Sequence, residues 1–301
     1  MRISPIQINN YNFKALIKVQ ETKIPHAKND YSWYTNAPIQ RGQILCDDRS
    51  IFNRQTTSLL RDDIDWNLYG EYIKKNFNQP KVNTYIYGCA NGSEAYSMSL
   101  LLQGIFGEDA ERFFPIIASD IRENTIFFNN EDKKDGVRLL YSEYKKICKL
   151  SYFRKNICLD IEKLNKFVQE DTESNFLYTP FVLTKDVSDK VIFKQVNILE
   201  DIDSIDSENP SIVMCRNMWP YIESGQYEDY TSKLYEKLAK GSIVVLGHYD
   251  FMGEMYKKDS SLFRIENSNC FPVVLENAGF EKASTKIGKK FGRTDLIFEK
   301  K

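Results

Sequence analysis

The chain has 301 residues, 42% of them hydrophobic and 13% aromatic, with 41 Lys and Arg against 42 Asp and Glu and a formal net charge of −1. That is enough apolar material for one large domain, alone or with a small companion, and the balanced charge leaves no whole-chain footprint for nucleic acid. No run approaches the roughly eighteen apolar residues of a membrane-spanning helix, and "MRISPIQINNYNFKALIK" lacks the apolar stretch of a secretory signal. A soluble, cytoplasmic protein without membrane insertion is the expectation. Six scattered cysteines form no CxxC pair, and the two histidines, His26 and His248, lie far apart. This pattern argues against a metal site or a disulfide framework and gives little support to a Ser-His-Asp hydrolase, though His248 alone remains open to one.

Residues 1–55 show little regular period and are rich in Asn, Tyr and Pro. From Ser58 onward Leu60, Ile64, Leu68, Tyr72 and Ile73 recur at helical spacing, which predicts an amphipathic helix leading into the first strand. That divides the chain into a divergent N-terminal region, 1–78, and a main domain, 79–301. The first predicted strand is Thr84–Gly88, followed by the small-residue turn "GCANGSE" and a helix after Glu94. Gly88 and Gly92 let the backbone turn tightly, and the N–H groups opening the helix suit an anionic group. The spacing is not G-x-G-x-x-G, which disfavours a nicotinamide or flavin dinucleotide.

A second strand, Phe114–Ser119, ends at Asp120, where an acid can accept hydrogen bonds from ribose hydroxyls or simply cap a helix. About sixty residues then separate Asn129 from Val191, where a crossover needs far fewer, so 130–190 reads as an inserted subdomain. Its segment 133–156 carries eight Lys or Arg against two acids, with tyrosines interleaved. Such a stretch is either a solvated helix face or a surface for an acidic protein partner. Strands follow at Val191–Val196, Ser211–Cys215 and Ser242–Gly247, with a helix over "GQYEDYTSKLYEKLAKG" between the last two and Gly241 as its C-terminal cap. The closing "GFEKASTKIGKKFGRTDLIFEK" reads as an antiparallel hairpin. Alternating continuous apolar strands and helices predict an α/β fold with a mostly parallel sheet.

Taken in order, "GCANGSEAYS", "ASDI", "VIFKQVNIL", "VMCRNMWPYI" and "VVLGHYD" resemble the signature blocks of the CheR family, the chemotaxis-receptor glutamate methyltransferases that use S-adenosylmethionine (SAM). The upstream "RQTTSLLRDD" is similar to the family's Thr-rich segment ending in Phe-Phe-Arg, with leucines in place of the aromatics. The resemblance runs from about residue 54 to 250. It implies a Rossmann-like class I SAM methyltransferase with a mostly parallel seven-stranded sheet and a C-terminal antiparallel hairpin.

It also implies roles. Glu94 and Asp120 match the residues that hold the methionine amino group and the ribose, in the loop that carries Gly88 and Gly92. Asn197 and Ile198 match the pair flanking the adenine, and Cys215 and Arg216 lie in the block beside the cofactor. Gln55, Thr57 and Arg61 match the segment that closes over it, with Arg61 also placed to balance an acceptor carboxylate, and Tyr221 matches the tyrosine near the transferred methyl. The product would be S-adenosylhomocysteine (SAH), and the partner a chemoreceptor-like cytoplasmic domain met through 133–156. Two other functions stay open at this point: a SAM methyltransferase with another acceptor, and a non-catalytic module that binds SAM or SAH as a signal. Residues 1–55 do not look like the helical domain with which family members begin. Ala90, Asn91, Ser93 and Ala95 also replace the usual Ser, Thr, Glu and Pro of the loop.

Overall fold

The computed structural model describes residues 58–123, 126, 129–130, 137–149, 157–159, 178–222, 224–251, 255–258, 261–264, 270–289 and 294–301. In chain order the first elements are α1 (Trp66–Asn76), β1 (Asn83–Tyr87), α2 (Ser93–Phe106), β2 (Ile116–Asp120), β3 (Arg138–Leu140), α3 (Tyr141–Lys149), β4 (Ile157–Leu159) and β5 (Tyr178–Leu183). Then come α4 (Lys185–Ser188), β6 (Val191–Gln195), β7 (Ser211–Met214), α5 (Tyr227–Lys237), β8 (Ile243–Val245), β9 (Met255–Lys258), β10 (Ser261–Arg264), α6 (Phe271–Asn277), β11 (Glu281–Lys282) and β12 (Ile297–Glu299).

Seven strands form one sheet in the order β11-β12-β8-β7-β1-β2-β6. The pairs from β6 to β8 are parallel, while β12 runs antiparallel to both β8 and β11. The expected class I architecture and C-terminal hairpin are therefore present. Two smaller sheets stand apart from it, β3-β5-β4 within the predicted insertion and β10-β9 after β8.

Strand periodicity sorts the core into two layers. Ile86, Ile212, Met214, Ile243 and Val245 face the layer that holds α1 and α2. Tyr85, Tyr87, Val213, Cys215 and Val244 face the layer of α5 and α6. With both faces covered, β8 is apolar throughout, β7 is apolar after Ser211 and β1 is apolar or aromatic from Tyr85 on, which is why they read as continuous runs. The chain runs from β1 outward through β2 to β6, then returns to the other side of β1 as β7. The strand order thus reverses beside β1, and the carboxyl ends of β1, β2 and β7 meet at that crevice.

Two local expectations are corrected. The helix predicted from Ser58 begins only at Trp66, where Asp65 caps it by accepting from Asn67 N and Leu68 N, each at 3.1 Å. Upstream, Leu60 has φ 47 and the peptide groups bond outward, so the apolar period there belongs to an irregular segment; Leu68, expected on the buried face, is 47% exposed. Nor does Gly241 cap α5. That helix ends with Leu238 in an extended conformation, and Gly241, with φ 84, sits in the turn entering β8 and donates to Lys300 O at 2.9 Å.

Candidate active site

The turn after β1 holds three successive left-handed residues at alternate positions, Gly88 (φ 65), Ala90 (φ 47) and Gly92 (φ 76). A Cβ on Gly92 would stand 2.8 Å from the ring of Phe193 on β6, so the turn is tight as well as left-handed. Both halves of the strained Ala90 residue are gripped by side chains. Its N–H donates to Asp120 Oδ2 at 3.1 Å, and its carbonyl accepts from the buried Asn129 Nδ2 at 2.7 Å. Asp120 is further engaged through Oδ1, which accepts from Arg122 N and Arg122 Nε, both at 3.1 Å. A lone pair on Oδ2 is left for a further donor.

A buried ion cluster lies beside this turn. The Arg216 side chain is 0% exposed; its Nη1 donates to Glu94 Oε1 at 2.9 Å and its Nη2 lies 2.7 Å from Asp63 Oδ1. Asp63 in turn faces Arg61 Nε at 3.4 Å, and its own side chain is 4% exposed. Two carboxylates and two guanidiniums thus alternate and sum to zero charge, the arrangement that makes such burial tolerable. Burial raises the Asp63 carboxyl's pKa, but the adjacent Arg216 and Arg61 outweigh it and hold the group below the usual carboxylate range. On Arg216 burial disfavours the charge, and the pull of Glu94 and Asp63 prevails.

Asp63 belongs to a segment, 58–65, that is tied on every side. Leu59 N donates to Glu143 Oε1 on α3 at 2.8 Å, and Leu60 N donates to Ser97 Oγ on α2 at 2.7 Å. Arg61 O accepts from Trp66 Nε1 at 2.9 Å. Asp63 O meets His248 Nε2 at 2.8 Å and accepts from Lys289 N at 2.9 Å, and Asp65 N donates to Ile287 O at 2.7 Å. Lys146 of α3 also reaches this segment, with its Nζ 3.4 Å from Ser58 Oγ, Leu59 O and Asp62 Oδ1. Part of the basic stretch thus points inward.

A second anchor follows β7. Asp250 accepts from Asn217 N and Gly247 N through Oδ2, each at 2.7 Å, and from Trp219 N through Oδ1 at 3.1 Å. Burial pushes its carboxyl up to about 7, against the pull of these three N–H groups.

Of the residues singled out in the sequence, Gly88, Gly92, Glu94, Asp120, Arg216 and Arg61 come to the carboxyl ends of β1, β2 and β7 or to the segment tied across them. Asn197 follows β6, one residue after Val196 N bonds to Asp120 O at 3.1 Å. Its side chain closes its own turn, accepting from Leu199 N and donating to Glu200 Oε1, each at 3.1 Å. Ile198 and Cys215 are buried in the α5–α6 layer, and burial pushes the thiols of both Cys215 and Cys89 up. Tyr221 ends the short turn Trp219–Tyr221, of which the backbone is described. Gln55 and Thr57 lie outside the described residues.

Four residues at this site were not singled out: Asp63, Asn129, Arg122 and Asp250. Two of them carried a local signal: Asp63 in the doubled acid directly after Arg61, and Asp250 as the last residue of "VVLGHYD". Among the described residues no group of His, Cys, Asp and Glu is arranged to hold a metal ion.

A family model described as "CheR methyltransferase, SAM binding domain" matches residues 55–134 and 144–267. No curated protein matches the sequence. Among solved structures, the chain is similar to a TehB-like SAM-dependent methyltransferase from Corynebacterium glutamicum, with 10% identity, 78% of this chain and 88% of that one covered, and a TM-score of 0.39. It is also similar to magnesium protoporphyrin IX methyltransferase from Synechocystis with bound SAM, at 11% identity, 78% and 76% coverage and a TM-score of 0.35. A third is a SAM-dependent methyltransferase from Leishmania major, at 8% identity, 78% and 71% coverage and a TM-score of 0.41.

Proposed function

The chain belongs to the CheR family of SAM-dependent methyltransferases, and on that premise we propose that it methylates glutamate side-chain carboxylates of a protein acceptor, a cytoplasmic domain of chemoreceptor type. The observation that carries this reading is the family match itself, because it spans both the turn after β1 and the block containing Arg216 and Tyr221. The cytoplasm is the matching location, and among the described residues no helix is long and apolar enough to cross a membrane.

The residues present suit the cofactor. Glu94 and Asp120 offer carboxylate oxygens of the kind that take an ammonium group and ribose hydroxyls, and Asp120 Oδ2 retains acceptor capacity beyond its bond from Ala90 N. In this reading Gly88 and Gly92 bring backbone close to the methionine end, Asn197 and Ile198 flank the adenine, and Cys215 and Arg216 form the wall after β7. By the same resemblance Gln55, Thr57 and Arg61 belong to the segment that closes over the cofactor. When bound, SAM supplies a methyl group already activated on a sulfonium sulfur.

A glutamate carboxylate is already a nucleophile near neutral pH, so the protein's task is alignment and exclusion of water rather than proton removal. Placement of this kind is worth roughly 7–11 kcal/mol. Arg61, the partly exposed end of the ion cluster, is the cation assigned to an incoming carboxylate. The resemblance assigns Tyr221 to the neighbourhood of the transferred methyl, and an aromatic face beside a cation is worth about 0.5–2 kcal/mol.

The test is to incubate the protein with methyl-labelled SAM and a chemoreceptor cytoplasmic domain, then treat the product with mild alkali. A glutamyl methyl ester releases volatile methanol, whereas methyl groups on nitrogen or on an ether oxygen remain. Label that stays on the protein, or passes only to a small molecule, would select a different acceptor. SAH binding without any transfer would select a signalling module.

A further inference from the structure

We propose that Asp63 balances the guanidinium charges beside the cofactor site and so sets how strongly the site prefers the sulfonium cofactor over its product, whose sulfur is uncharged. The inference rests on the reading above that Glu94 and Arg216 border that site. Asp63 itself matches none of the residues assigned there.

Arg216 is completely buried and is shared by two carboxylates, Glu94 at 2.9 Å and Asp63 at 2.7 Å. Arg61 stands 3.4 Å from the other Asp63 oxygen. Without Asp63, one glutamate would face two guanidiniums, leaving a local charge of +1. SAM and SAH differ chiefly by one methyl group and one positive charge. A net positive cluster therefore opposes the reactant more than the product, which would raise product inhibition. Asp63 removes that bias, and its place in the bond-tied segment 58–65 holds the charge where Arg216 and Arg61 can both reach it. A unit charge in such surroundings, through the effective dielectric of a protein site, shifts affinity by about ten-fold.

A purely architectural Asp63 would weaken SAM and SAH alike when replaced. A charge-balancing Asp63 changes their ratio. The experiment is titration calorimetry of both ligands against wild type, Asp63→Asn, Arg61→Gln and the double variant D63N/R61Q. The expected result is a ratio Kd(SAM)/Kd(SAH) about ten-fold higher in D63N, lower than wild type in R61Q, and restored in the double variant, where Glu94 and Arg216 again cancel. Should D63N fail to fold, R61Q decides alone, because it leaves the Asp63–Arg216 pair intact. A parallel loss of both affinities in D63N, or an unchanged ratio in R61Q, overturns the inference. Glu94→Gln separates this from the underlying reading: wild-type affinity for both ligands in that variant would mean that the cofactor site lies elsewhere.

Discussion

Arg216 and Asp63 meet at 2.7 Å with their side chains 0% and 4% exposed, and this contact fastens the carboxyl end of β7 to the segment that precedes α1. A buried pair of this kind is costly to break from one side, because the partner is left charged and dry; the usual loss is about 3–5 kcal/mol. Arg216→Met strands both Asp63 and Glu94 and is expected to fall at the upper end of that range. Arg216→Lys keeps the charge but cannot reach both carboxylates with one planar fork, and should lose less. Urea denaturation of the three proteins checks the order, and equal stability of Arg216→Met and wild type would show that the cluster is not coupled to folding.

Gly247 and Asn217 give a second prediction. A Cβ on Gly247 would stand 2.2 Å from Asn217 Oδ1, and that oxygen is held by Tyr249 N at 3.0 Å, so the side chain has no easy retreat. Gly247→Ala should cost about 1–3 kcal/mol by overpacking. Asn217 itself has φ 59, a conformation that glycine adopts freely. Adding Asn217→Gly to Gly247→Ala should therefore recover most of the loss in thermal denaturation. An additive double variant would rule out the proposed clash.

The strands were legible because a sheet covered on both faces demands apolar residues at consecutive positions, as in "SIVM" and "IVV". Glu94 and Arg216 were legible through the family blocks that carry them, and Asp120 also because it ends a predicted strand; all three lie at or just beyond strand ends. What escaped was settled by contacts distant in sequence. Asn129 grips Ala90 across 39 residues, and Asp250 holds Asn217 across 33. Asn129 has no local pattern that differs from that of a surface polar residue, and Asp250 stood out only as the end of "VVLGHYD", with nothing to say which groups it would hold. The apolar spacing of Leu60 and Ile64 was misleading for a related reason. Both are buried, but Ile64 bridges to Gly288 in the C-terminal turn and Leu60 bonds to Ser97, and these tertiary bonds override the helical period.

His248 makes stability depend on pH in a definite direction. Burial lowers its pKa from 6.5, while its backbone contact with Asp63 and the Asp63 charge pull the other way and Arg216 and Arg61 add to the lowering. The folded imidazole thus stays neutral where the unfolded one has begun to protonate. The unfolded chain binds more protons, so stability falls as pH drops below about 6.5. Replacing His248 with Gln removes this contribution. The difference in stability between wild type and His248→Gln, measured from pH 8 to 5, should shift against wild type on the acid side. A difference that is constant with pH would show that His248 titrates alike in both states.

The basic stretch around α3 divides its labour, and the division decides which substitutions test a partner surface. Lys145 is exposed, whereas Lys146 lies against Ser58, Leu59 and Asp62, and Glu143 is buried with Oε1 on Leu59 N at 2.8 Å. Reversing Lys146 sets two negative groups together at Asp62 and loosens the segment that leads to Arg61. Lys146→Glu should therefore weaken SAH binding whether or not a partner docks here. Glu143→Ala leaves the Leu59 N–H without its acceptor, costing about 1–3 kcal/mol, and should weaken SAH binding in the same way. Lys145→Glu touches neither the Asp62 nor the Leu59 contact, so SAH affinity should match wild type. If α3 faces an acidic acceptor, methyl transfer to that acceptor should still fall in Lys145→Glu, and the fall should shrink at high salt as the charges are screened. Wild-type transfer rates in Lys145→Glu at low salt would exclude this face of α3 from acceptor docking.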